Sequence, residues 1–133
     1  MKYFLSLTML GLLLSCSAQT SDHSGEEMAM VQSSGIFTDV DNDEAKKLMA
    51  ERPDLQIIDV RTDGEVAEGI IKGAQHIDIS KDDFDAKLNK LDKSAPVLVY
   101  CAAGGRSKTA QDKMKELGFS EVHNLKRGYR GWK

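Results

Sequence analysis

The run Val97-Leu98-Val99-Tyr100, opened by Pro96 and followed at once by Cys101-Ala102-Ala103-Gly104-Gly105-Arg106-Ser107, constrains this chain more than any other segment. Four consecutive apolar or aromatic residues in a β-favouring stretch offer no polar face to solvent, so a strand made from them must be covered on both sides. Strands of that kind sit inside sheets whose connections are helices rather than tight hairpins. The rest of the chain agrees, because short β-like runs alternate with helical patterns, as a parallel sheet with crossover helices requires. Ile36-Phe37 begins a short edge strand, Leu55 to Val60 is a second near-continuous apolar run, His76 to Ile79 a third, and Val122 to Leu125 the last. Val97 to Tyr100 is expected at the centre.

The helices between these strands carry their own signals. Asp41 with Glu44 three residues on forms an N-terminal capping pattern, Ala45, Leu48 and Met49 give an apolar stripe, and Pro53 stops the helix. A short helical turn is expected around Asp63 to Glu68. Ser80 is read as the cap of a helix whose Phe84, Leu88 and Leu91 recur at helical spacing. After the CAAGGRS loop, Ala110, Met114 and Leu117 make one face of a further helix, which Gly118 ends as a left-handed cap with Phe119 packing behind it. Trp132, in the closing segment, is expected to pack against the body.

Composition excludes two classes. With 41% hydrophobic and 29% charged residues, the chain has enough apolar material for one core and too little net charge to stay unfolded. A formal charge of -3 leaves no basic footprint for phosphate, so nucleic acid is set aside as a partner.

The first thirty-five residues read differently from the rest. Lys2 precedes an apolar run from Phe4 to Leu14, broken by Ser6, Thr8 and Gly11, which has the length of a signal-peptide core and is too short to span a bilayer. Its end, Leu13-Leu14-Ser15-Cys16, resembles the lipobox of bacterial lipoproteins, which implies a signal peptide over 1–15 and a lipid on Cys16 as the first mature residue. Cleavage near Ser17-Ala18 by an ordinary signal peptidase is the alternative. Residues 16–35 carry the lipidated cysteine and a Ser-, Gly- and acid-rich tether without apolar periodicity. His23 lies there without partners at ligand spacing, and no metal is expected. The expectation is an exported protein on a bacterial membrane, facing the periplasm. Ser17 after the cysteine resembles outer-membrane sorting.

A domain over 36–133 follows, and Cys101 is its only cysteine. In an open α/β sheet ligands bind beyond the carboxyl ends of strands, which is where Cys101 lies. The start of the next helix brings partial positive charge, and two glycines let successive backbone N–H groups turn inward as a nest. Both favour a thiolate, the form that reacts. A buried structural cysteine is the plain alternative, but it would not need Gly104-Gly105-Arg106 directly after it.

These residues resemble the active-site loop of the rhodanese family. The likeness covers nearly the whole domain: Ile57-Ile58-Asp59-Val60-Arg61, Glu68-Gly69-Ile70-Ile71-Lys72-Gly73-Ala74 and Gly128-Tyr129-Arg130-Gly131-Trp132 match the family's strand, turn and closing motifs in order. The resemblance implies a five-stranded parallel sheet with helices on both faces and a sulfurtransferase without metal or organic cofactor. Cys101 would take a sulfane sulfur from a small anionic donor such as thiosulfate, hold it as a persulfide, and pass it to a thiol or cyanide, or to a protein acceptor. Ala102, Ala103, Gly104, Gly105, Arg106 and Ser107 would bind the substrate through backbone N–H groups, with the Arg106 side chain adding a donor for the anion and stiffening the loop. Asp59 and Arg61 are secondary candidates, and Arg61 is expected to pair with Glu68 across the turn.

Three positions depart from the family's pattern: Ala102 where a basic residue is common, Ile70 where many members have histidine, and Arg127 where glycine is frequent. The first removes a cation that would help bind a dianion. Among rivals, a phosphatase of protein-tyrosine type uses Cys-x5-Arg, one residue longer than the four residues between Cys101 and Arg106. A partner-directed sulfur carrier and a docking module with an idle thiol are the others.

Overall fold

The computed structural model describes residues 34–133. The expected signal peptide, the lipid site Cys16, His23 and most of the tether lie outside the described residues. Strands β1 (Ile36–Val40), β2 (Gln56–Asp59), β3 (Ala74–His76), β4 (Val97–Tyr100) and β5 (Glu121–Leu125) alternate with helices α1 (Asn42–Glu51), α2 (Asp63–Val66), α3 (Phe84–Leu88) and α4 (Gly105–Glu116). A 3-10 turn, Tyr129–Gly131, closes the chain. All strand pairs are parallel and the order is β1-β5-β4-β2-β3, which puts β4 at the centre and β1 on an edge, as expected.

Alternation along β4 builds two cores. Val97 and Val99 join Ile58, Phe84, Leu88, Ala110, Met114 and Phe119 on one face, while Leu98 and Tyr100 join Ala45, Ile71 and Leu125 on the other. Because every β4 side chain is fully buried, helices must cover both faces: α3 and α4 on the first, α1 and the closing turn on the second. Each such aliphatic side chain contributes about 1.5–3 kcal/mol on burial. Trp132 packs against the second core. Among the described residues no helix is long and apolar enough to cross a membrane.

Local chemistry sets the element ends. Asp41 accepts hydrogen bonds from Asp43 N (3.1 Å) and Glu44 N (3.0 Å), and its own N–H donates to Glu44 Oε2 (2.8 Å), completing the capping box. Gly118 takes φ +87° after α4, with Phe119 buried behind it. Ser80 departs from expectation. Its N–H and hydroxyl both donate to Asp78 Oδ1, at 2.8 and 2.6 Å, and α3 begins only at Phe84. A local side-chain turn thus competes with the helix for Ser80. The third strand is also displaced, ending at His76 where the apolar pattern placed its start.

Candidate active site

The loop from Cys101 to Gly104 carries the chain from the end of β4 to the first turn of α4. Cys101 is 2% exposed. Gly104 N donates to its Sγ at 3.1 Å and the Ser107 hydroxyl at 3.3 Å. Burial pushes the thiol up. The Ser107 hydroxyl and the backbone N–H groups of Ser107, Ala103 and Gly104 outweigh it, leaving the thiol below its ordinary value. In the geometry one amide of the loop, that of Gly104, points at Sγ, with the hydroxyl of Ser107 as an added donor.

Two glycines make the loop possible. Gly104 sits at φ +100°, and a Cβ there would run into the Lys126 carbonyl. Gly128 sits at φ +57°, and a Cβ there would lie 2.5 Å from both the Ala102 carbonyl carbon and the Cys101 oxygen. So close an approach lets the closing segment hold the loop from behind: Tyr129 N donates to Cys101 O at 2.7 Å and Arg130 N to Ala102 O at 3.0 Å. Asn124, on β5, supports the same loop. Its Nδ2 donates to Asp39 Oδ1 at 3.0 Å and more weakly to Gly104 O at 3.4 Å.

Arg106 lies close enough to Cys101 to feel its charge, yet its strongest partner is Glu65. Its Nη1 and Nη2 grip Glu65 at 2.9 and 2.6 Å, a two-pronged ion pair between α4 and α2. The Arg106 guanidinium holds the Glu65 carboxyl down to about 2, with help from Thr62, whose N–H and hydroxyl donate to the same group at 3.1 and 2.8 Å.

Arg61 is 2% exposed and Asp59 wholly buried. Arg61 donates through Nε to both Asp59 oxygens at 3.0 Å, through Nη2 to Asp59 Oδ2 and Gly69 O at 2.6 Å each, and through Nη1 to Glu65 O at 3.1 Å. Its guanidinium also lies 4.0 Å from the Tyr129 ring centroid. The expected Arg61–Glu68 pair is absent among the described residues. Asp59, two residues away on the same strand face, is desolvated with Arg61 and meets it at shorter range than a carboxylate on the exposed side of the turn.

Beside the loop lies a cleft of about 110 Å³, lined by Arg61, Glu65, Glu68, Ala102, Tyr129 and Arg130. A larger hollow of about 300 Å³, lined by Ile79, Phe84, Lys113 and others, has no residue of the Cys101–Gly104 loop in its wall, whereas Ala102, next to Cys101, lines the smaller cleft, which is therefore the one that adjoins the thiol. The structure brings together Cys101, the loop through Ser107, and Arg61 backed by Asp59. It adds Glu65, and it brings to the cleft Tyr129 and Arg130, which the sequence marked only as part of a closing motif. The Thr62-x-x-Glu65 capping pattern was a signal for Glu65.

A thiol held by backbone amides, at the carboxyl end of a central parallel strand and the start of a helix, defines a single-domain α/β thiol site. The chain belongs to the rhodanese-like domain family, whose profile matches residues 41–133. It is similar to the thiosulfate sulfurtransferase GlpE of Coxiella burnetii, with 35% identity over 98 residues that cover 74% of this chain and 89% of that protein. A sulfurtransferase of Allochromatium vinosum is 27% identical over 97 residues, covering 73% and 89%. The crystal structure of a rhodanese-like domain protein from Staphylococcus aureus superposes with a TM-score of 0.65 at 31% identity, covering 72% of this chain and 91% of that one.

Proposed function

We propose that this protein is a sulfurtransferase that moves a sulfane sulfur from a donor to a thiol or cyanide acceptor through a persulfide on Cys101. The observation that carries the reading is the set of hydrogen bonds on Sγ, which favour the thiolate and are placed to hold negative charge on a second sulfur bound there. With thiosulfate as the simplest donor, the thiolate attacks the outer sulfur, the sulfur–sulfur bond of the donor breaks, and its electron pair leaves with sulfite. The persulfide is then attacked at its terminal sulfur by the acceptor, and the Cys101 thiolate returns. Ala102 to Ser107 supply the anion nest. Arg106, tied to Glu65, keeps the loop rigid, and Asp59 acts by holding Arg61 under Tyr129 rather than by touching substrate.

Cys101→Ser should abolish transfer while preserving the fold, because one buried atom changes in a loop held by backbone contacts. Incubation with a sulfane donor followed by mass spectrometry should show one added sulfur on the wild type and none on the variant. Turnover by the variant above about a tenth of wild type would overturn the assignment. The sequence around Cys16 supports a further proposal, that the domain is exported and held at a bacterial membrane by lipid on that residue.

A further inference from the structure

We infer that the donor this site takes best is an organic thiol persulfide rather than the thiosulfate dianion, a conclusion that rests on the sulfurtransferase reading and narrows it. Charge separates the two donors. Thiosulfate brings two negative charges next to the sulfur that Cys101 attacks and departs as a dianion, so a site suited to it needs cations free to answer both. Here three guanidiniums, those of Arg61, Arg106 and Arg130, surround the cleft and loop, and three carboxylates, those of Asp59, Glu65 and Glu68, accompany them. Arg61 is fully engaged with Asp59 in the interior. Arg106, the one cation within the loop, is gripped by Glu65 on both prongs. Ala102 and Ala103 contribute no charge. Among the described residues only Arg130 meets the cleft with no carboxylate partner, and it stands on the closing segment rather than in the loop.

A thiol persulfide suits this pattern. Its sulfane sulfur is flanked by a neutral sulfur, and any carboxylate it carries sits several bonds away, where Arg130 can take it. In the transfer the Cys101 thiolate bonds to the outer sulfur of R–S–SH and the bond between the two donor sulfurs breaks. The proton stays on the transferred sulfur and R–S⁻ leaves with the electron pair, so one negative charge enters the step and one leaves it. The cysteine sulfur is oxidised to the persulfide level and the donor is reduced to a thiolate. Only a single charge has to be accommodated by the amides of the nest.

The test compares glutathione persulfide and thiosulfate as donors for the wild-type domain, read as the rate of sulfur addition to Cys101 by mass, with Cys101→Ser correcting for background. The wild type should show a kcat/KM at least about tenfold higher for the persulfide, the scale of one charge-assisted contact. Glu65→Gln should release Arg106 and narrow that gap, mainly by lowering the KM for thiosulfate. Arg130→Ala should raise the KM for glutathione persulfide. Equal or faster loading from thiosulfate by the wild type overturns the inference while leaving the sulfurtransferase reading intact, whatever the variants do. If neither donor adds sulfur to Cys101, both fall together.

Discussion

At the scale of single residues, the reactivity of Cys101 rests on a contest between desolvation and hydrogen bonding, and Ser107 is the side chain that tips it. Removing its hydroxyl by Ser107→Ala should raise the thiol, since a hydrogen bond that favours the charged form is lost while the burial stays. The pH dependence of alkylation by iodoacetamide would measure it. An unmoved profile would leave the backbone amides as the sole source of activation. Cys101 was legible because a cysteine that merely packs after a buried strand does not require Gly104-Gly105 behind it. The role of the Ser107 side chain was not, since the loop pattern marks the residue only as a backbone donor. Arg61 was legible as half of an ion pair, but its partner is Asp59 rather than the expected Glu68, because sequence spacing does not reveal which carboxylate is desolvated with it.

At the scale of elements, the Glu65–Arg106 pair is the one side-chain ion pair among the described residues that joins α2 to α4, and its acid sensitivity follows from its pKa. The Glu65 carboxyl is held at about 2 in the folded protein, against an ordinary 4.5. Its folded value is depressed, so its stabilisation is complete above pH 4.5 and disappears as the pH falls towards 2. The carboxylate is 32% exposed, so solvent screening keeps the effect modest. Thermal melts of wild type and Glu65→Gln should differ most near neutral pH and converge as the pH drops through that window. A difference that persists at the acid end would mean that Glu65 acts through packing. The sequence showed the α1 cap and the Gly118 stop because their signals are local. The ends of β3 and the start of α3 escaped it because Asp78 takes the Ser80 donors in a turn that no periodicity announces.

At the scale of the whole molecule, the order of the sheet follows from one fact visible in the sequence, that β4 has no polar face and so belongs at the centre. The pairing of β1 with β5 was not readable in that way, because a parallel partner is chosen by packing over 85 residues of separation. The proposed anchor belongs to this scale too. Cys16→Ser should shift the protein from the detergent-extractable membrane fraction to the soluble or unprocessed fraction, since each buried acyl CH₂ contributes about 0.8 kcal/mol. Wild type recovered as an unmodified soluble protein after export would refute the proposal.

The contact between Gly128–Arg130 and the loop bears on timing during synthesis. A nascent chain that has emerged only through Leu125 already contains all five strands and the cysteine. It lacks the segment whose amides fix the carbonyls of Cys101 and Ala102. The nucleophile therefore comes into its final setting only when the last part of the chain docks, and a ribosomal product cut short there would keep the sheet without a finished reaction centre.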